Sequence, residues 1–314
     1  MASFINTIHS CPECDRLHSK WNRDEPPSLR VAPGDTFRLV CPDSSNGMLT
    51  RTSTEADIAR VDFRQTDPLC GPVHVDGARP GDTLRVELVD LELGDWGWTG
   101  LLPGFGLLAD EFPTPYFRSF DLTPGHVDIF GERFVLKAFM GVLGVAPEMA
   151  GDFSAVPPTN AGGNVDVRYL TRGSVIYLPV LNEGALLSGG DGHALQGEGE
   201  ISGCAIEAPM TATLKVDVIK NRHLPAPMID CSTRPYDETE YRDFLGVGPD
   251  LMAAAKDSAR FAVDELARSL DVAPHEAYAI LGMVGELRIH EIVDQPNWVV
   301  GCMIPRRLFG GRAA

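Results

Sequence analysis

The chain of 314 residues carries 27 lysines and arginines against 44 aspartates and glutamates, a formal charge of −17. Its length is enough for one large domain or two small ones with a substantial core. The negative field repels phosphate backbones, which argues against a nucleic-acid partner and favours neutral or cationic ligands and divalent metals.

Seven cysteines at irregular spacing read as reduced thiols. Residues 1–6 lack a basic region followed by an apolar core, and no stretch of about 18 apolar residues occurs, so neither a secretory leader nor a membrane span is expected. A cytoplasmic protein is the expectation. Cys11-Pro-Glu-Cys14, flanked by His9 and His18, offers N and S ligands at zinc-like local spacing, although no second such pair follows; a redox pair or two inert thiols fit the same residues.

The first two thirds read as strands. Pro33-Gly34-Asp35 and Pro80-Gly81-Asp82 are turn signals. Each precedes the alternation of a half-buried strand, with Phe37 and Leu39 in one and Leu84, Val86 and Leu88 in the other. Residues 53–60 predict a short helix capped by Ser53 or Thr54. Residues 92–118, rich in glycine, proline and aromatic side chains, read as a long loop forming a lid or pocket wall, with Trp96 and Trp98 either facing that pocket or filling core space. Thr171-Arg172-Gly173-Ser174, leading into residues 175–180, repeats the turn-then-strand layout.

Residues 185–201 interleave Asp191, His193, Gln196, Glu198 and Glu200 with glycines. On an extended chain Asp191 and His193 share one face, as do Glu198 and Glu200. Gly192, Gly197 and Gly199 let backbone or substrate come close. The pattern suits a cation site or proton transfer; an acidic surface hairpin is the alternative. Further on, Leu251, Ala254, Ala255, Ala259, Ala262, Val263, Leu266 and Leu270 make one helical stripe over 250–270 behind an Asp250 cap. A second helix, 274–283, starts on Pro274, and residues 287–293 and 298–304 return to strand. Strands first and helices late give an α+β, β-dominant class, with sandwich- or barrel-like sheets and a late helical pair. One unit over 1–314 is expected, mainly β over 1–220 and a helical pair returning to strands over 221–314.

Two more segments carry polar groups suited to chemistry. Gly162-Gly163-Asn164-Val165-Asp166, after Pro157-Pro158, presents an amide and a carboxylate, and Asp43-Ser44-Ser45-Asn46-Gly47 ends an early strand. With Asp191, His193, Glu198 and Glu200 they supply oxygen and imidazole ligands without a thiolate. That set suits zinc, or calcium or manganese where carboxylates dominate. Metal-assisted hydrolysis is the leading reading, the cation lowering the pKa of bound water and a glutamate moving the proton. A thiol route through Cys204 competes with it, but Cys204 alternates with apolar residues in an expected strand. The non-enzymatic alternative is a metal-stabilised β module that binds carbohydrate or peptide.

The stretches His18-Ser-Lys-Trp21, Asp67-Pro-Leu-Cys-Gly71, Gly77-Ala-Arg-Pro-Gly-Asp82, Asp95-Trp-Gly-Trp98, Gly104-Phe-Gly-Leu-Leu-Ala-Asp110, Phe139-Met-Gly-Val-Leu-Gly-Val145, Gly162-Gly-Asn-Val-Asp166, Gly190-Asp-Gly-His-Ala-Leu-Gln-Gly-Glu-Gly-Glu200 and Asp294-Gln-Pro-Asn-Trp-Val stand in one order. In them, and across nearly its full length, the chain resembles the acetamidase/formamidase family, with the tryptophan block and residues 104–110 closer to the formamidase branch. The resemblance implies hydrolysis of a short carboxamide to carboxylate and ammonia, or the opening of a γ-lactam, by a β-rich, metal-dependent homo-oligomer. It carries over Asp43, Asp166, Asp191 and His193 as metal ligands or their neighbours, Glu200 as general acid/base, and Asn164 and Glu198 as supporting groups. Trp96, Trp98 and Phe105 are expected to close the pocket over a small acyl group, with the backbone at Gly162 and Gly163 steadying an oxyanion. The chain departs from the family pattern at Glu198, where aspartate is common, at Val165, where the residue is usually larger, at Glu286, where aspartate is usual, and in Cys11-Pro-Glu-Cys14.

Overall fold

The computed structural model describes residues 12–232 and 240–309. Cys11 and His9, on which a zinc site at the amino-terminal motif would depend, lie outside the described residues. Of the remainder of that motif, Cys14 is buried with Sγ 2.9 Å from Ser28 Oγ, and His18 bonds Lys20 O and Ser188 Oγ at 2.9 and 3.0 Å.

The three turn-then-strand segments become Thr36–Cys41, Thr83–Leu93 and Val175–Pro179, and all belong to one nine-stranded sheet. Gly34 and Gly81 hold φ of +93° and +92° in their turns, a conformation that glycine adopts without a Cβ clash. Met210–Ile219 lies between Thr36–Cys41 and Thr83–Leu93, antiparallel to both. A second nine-stranded sheet is built around Leu187–Leu195, which pairs with Phe139–Val145, Leu69–Val75 and Ile206–Ala208. Phe37, Leu39, Leu84 and Val86 of the first sheet and Met140, Leu143 and Leu187 of the second share one buried apolar core.

The helices follow the sequence closely. Thr54 caps helix α1 (Glu55–Ile58), with a capping box closed by Asp57. Helix α2 (Leu251–Leu270) starts where Asp250 Oδ1 accepts from Ala253 N at 2.7 Å, and helix α3 (Pro274–Val284) starts on its proline. Phe261, Ala262 and Leu266 of α2 and Leu281 of α3 bury themselves against Met228, Phe244 and Ile304 of the first sheet. The approach is close because Gly246 lacks a side chain; a Cβ there would lie 2.0 Å from Ala254 O. No helix among the described residues is long and apolar enough to cross a membrane.

Two expectations change. The expected loop over 92–118 is interrupted by paired strands, Trp96–Leu101 and Tyr116–Asp121. Gly97 and Gly100 hide the strand alternation, yet each sits where a Cβ would come within 2.6 Å of another atom, so the small residues are packing choices and not loop signals. Glu198 and Glu200 do not share a face either. The strand ends at Leu195, and Gly199 and Glu200 take φ of +80° and +45°, which breaks the two-residue period.

Candidate active site

Neighbouring strands of the second sheet assemble the site. Leu187–Leu195 carries Asp191 and His193; Phe139 of the adjacent strand stands opposite His193, and on the other side Glu207 does. Gly162–Asn164 pairs with Phe139–Val145 and leads directly to Asp166. Loops add Asp67, Glu200 and Asp294. Asp67, Asp166, Asp191 and Glu200 hold φ of +50°, +45°, +53° and +45°. Left-handed backbone costs a non-glycine residue about 1–2 kcal/mol. Four acidic residues held in it together require surroundings that enforce the conformation.

His193, 1% exposed, is the hub. Gln196 Nε2 donates to Asp166 O at 3.0 Å, which turns Gln196 Oε1 toward His193 Nδ1 at 2.8 Å. Nδ1 therefore carries a proton. Nε2 is the nitrogen presented to Asp191 Oδ2 at 3.0 Å and Glu207 Oε2 at 3.1 Å. Burial disfavours the imidazolium, but the charges of Asp191 and Glu207 override it and carry the pKa well above the usual value. Burial likewise opposes ionisation of Glu207; His193, together with hydrogen bonds that include one from Ser44 Oγ at 2.8 Å, brings its pKa below the ordinary value.

In the other acids burial outweighs what His193 offers. Burial, with repulsion between neighbouring carboxylates added, holds Asp166 above the carboxylate range and Asp191, Glu200 and Asp294 well above it. Asp67 is pushed up to about 7 and Glu291 to about 8, burial leading in both. Asp67, Asp191, Glu200 and Asp294 line a cavity of about 50 Å3. Its polar wall includes Asn164, Asp191, His193, Glu200, Glu207 and Asp294, and its apolar wall includes Trp98, Leu102, Phe105, Val156 and Cys204.

Three sets of side chains converge closely enough to hold a cation: Asp166, Asp191 and His193; His193, Glu200 and Glu207; and Asp166, Glu200 and Asp294. The residues fit a divalent ion on independent grounds. Neither carboxylate oxygen of Asp166, nor Asp191 Oδ1, has a hydrogen-bond partner among the described residues. A Cβ on Gly141 would lie 2.3 Å from Asp191 Oδ2 and 2.6 Å from Asp166 Oδ1, so the absent side chain is what lets two buried carboxylates point at one another. Buried like charges without donors need a cation or protons to exist.

The structure gathers Asn164, Asp166, Asp191, His193 and Glu200 of the expected residues, with Trp98 and Phe105 on the apolar side. Others stand apart. Asp43 Oδ1 accepts from Ser45 N and Trp98 Nε1, both at 3.0 Å, which ties its loop to the tryptophan strand and presents Ser44 to Glu207. Glu198 faces away from the cavity, bonded to the Tyr169 hydroxyl with His290 Nδ1 at 3.6 Å. Trp96 packs in the cluster behind Trp98, and Gly163 lies beside the Trp21 ring. The Gly162 N–H is occupied by Thr159 O at 3.0 Å and does not face an oxyanion. Cys204 precedes the strand instead of lying within it; burial, then Glu207 and Glu200, push its thiol well above the ordinary range and away from thiolate chemistry. Sequence reasoning assigned no role to Asp67, Glu207 or Asp294. A lone carboxylate in the buried stretch Ile206–Ala208 was the available signal, since acids are seldom fully buried without a partner.

The Acetamidase/Formamidase family model matches residues 6–152 and 148–311. The chain is 29% identical over 365 residues to a formamidase of Methylophilus methylotrophus, covering 94% of this chain and 89% of the relative. It is 31% identical over 269 residues to an acetamidase of Mycolicibacterium smegmatis, covering 65% of this chain and 66%, just under two thirds, of that relative's length. An acetamidase crystal structure from Bacillus halodurans superposes with a TM-score of 0.87 at 29% identity, over 95% of this chain and 98% of the other. A gamma lactamase from Delftia acidovorans gives 0.68 at 27% identity, over 96% and 91%. With both halves matched and the fold shared end to end, the chain belongs to the Acetamidase/Formamidase family.

Proposed function

We propose that this amidase-class hydrolase cleaves a short carboxamide to its carboxylate and ammonia, using a divalent cation held by Asp166, Asp191 and His193. The observation that carries the reading is the meeting of buried, donor-poor carboxylates and one imidazole at a cavity of about 50 Å3 capped by Trp98 and Phe105. When bound, the cation would polarise the amide carbonyl and make water a stronger nucleophile. The N–Hδ1 bond to Gln196 keeps His193 oriented with Nε2 toward that position.

Glu200, whose pKa burial and Asp166 raise, suits both halves of the proton traffic. It accepts the proton of water as oxygen adds to the carbonyl carbon, then returns it to the nitrogen as the C–N bond breaks. Asn164 Nδ2 donates to Asp294 at 2.7 Å, leaving Asn164 Oδ1 without a partner among the described residues and free to accept a substrate N–H. The aromatic wall keeps bulk water out and strengthens these polar contacts. Exposed Leu107, Leu108, Phe112 and Ile201 beside this wall support a homo-oligomer, which light scattering would measure.

Ammonia release from formamide and acetamide, and ring-opened amino acid formed from a γ-lactam, test the substrate class. Turnover of the linear amides is expected to exceed that of the lactam. Turnover of none of them, by folded protein, would favour a binding module.

A further inference from the structure

We propose that Phe105 is a partition between the catalytic cavity and an outer chamber, and that the outer chamber accepts the apolar acyl tail of a longer carboxamide once the ring is removed. This rests on the amidase reading above and adds the residue that sets its size limit. Phe105 and Val156 line the inner cavity of about 50 Å3 and also an outer one of about 480 Å3. The outer chamber's walls include the apolar side chains of Leu107, Leu251, Ile292, Val293 and Trp298, beside polar surface that includes Gln295. It carries none of the acids that surround His193.

The ring packs against the apolar cluster that includes Trp98, Leu102 and Cys204. It packs at 5.2 Å between centroids from Phe63 and rests over Gly203, where a Cβ would come within 2.5 Å of Phe105 Cδ1. Gly104 and Gly106 flank it with φ of +81° and +109°, so the turn that carries the ring is formed by residues that others replace only with strain. Phe105 also borders a third apolar cavity of about 110 Å3. A ring that borders all three cavities opens space shared between the inner and outer ones when truncated.

The test is the ratio of kcat/KM for hexanamide to that for acetamide in the wild type, Phe105→Leu, Phe105→Ala and Phe105→Ala/Ile292→Trp. A buried methylene contributes about fourfold, so four of them shift the ratio by about 10²-fold in Phe105→Ala. Phe105→Leu is expected between wild type and alanine, and refilling the outer chamber in the double variant is expected to return the ratio toward wild type. The ratio separates size selection from general damage, because a loosened fold lowers both substrates together. An unchanged ratio in both single variants, or a gain that Ile292→Trp leaves intact, overturns the partition while wild-type acetamide turnover leaves the amidase reading standing. Absence of turnover of either amide in the wild type overturns both.

Discussion

Gly141→Ala probes the convergence of Asp166 and Asp191, because the three atoms nearest the added methyl all belong to those two residues. Gly141 has no left-handed φ, so alanine brings no backbone strain. Its Cβ would stand 2.3 Å from Asp191 Oδ2, 2.6 Å from Asp166 Oδ1 and 3.1 Å from Asp191 Cγ, all shorter than real Cβ contacts allow or at their lower limit. Both carboxylates must withdraw within a buried strand pair. Overpacking of this kind costs about 1–3 kcal/mol of stability. Displacement of reacting groups by about 1 Å costs about 10²-fold in rate. Gly141→Ala is therefore expected to lose about 10²-fold in kcat/KM for formamide, and bound divalent cation with it, while its melting temperature falls by a few degrees. Gly197→Ala is the control, since its Cβ meets nothing within 4 Å. Wild-type turnover and cation content in Gly141→Ala would refute the reasoning that the two acids share one ion.

His193→Ala is expected to lose cation and about 10²-fold or more of turnover together, measured by elemental analysis and ammonia release. Cys204→Ala should keep turnover within a few-fold, because its buried thiol stays protonated; abolished activity with an intact fold would revive the thiol route. His290 is buried between Asp243 at 2.7 Å and Glu198 at 3.6 Å, with the Tyr169 ring 6.0 Å away, and its pKa is raised to about 9 although burial opposes this. A raised histidine contributes stability that is complete below about pH 6.5 and lost as pH rises through about 9, worth about 3 kcal/mol. Urea midpoints should fall across that window, and His290→Gln should flatten the slope.

Local chemistry explains what could be read from the sequence alone. Asp250 followed by its alanine- and leucine-rich stripe dictates α2, and Pro-Gly-Asp turns announce the strands that follow them. Asn164, Asp166, Asp191, His193 and Glu200 stand out because glycine-rich runs surround polar groups with room to converge. Glu207 and Asp294 were hidden because their role exists only across strands and loops far apart in the chain; His193 and Glu207 become opposite residues through register. Glu198 misled for the converse reason. Its sequence pattern equals that of Glu200, but left-handed backbone at Gly199 and Glu200 sends the two side chains to different partners. Asp43 likewise carries an acid's chemistry but uses it to hold a loop and the Trp98 indole.

The most direct test titrates a divalent cation into chelator-stripped protein while ammonia release from formamide is followed. Turnover should be absent in the stripped protein and should rise in proportion to cation bound until the His193 position is filled. Full turnover by protein shown to contain no divalent cation would contradict the account.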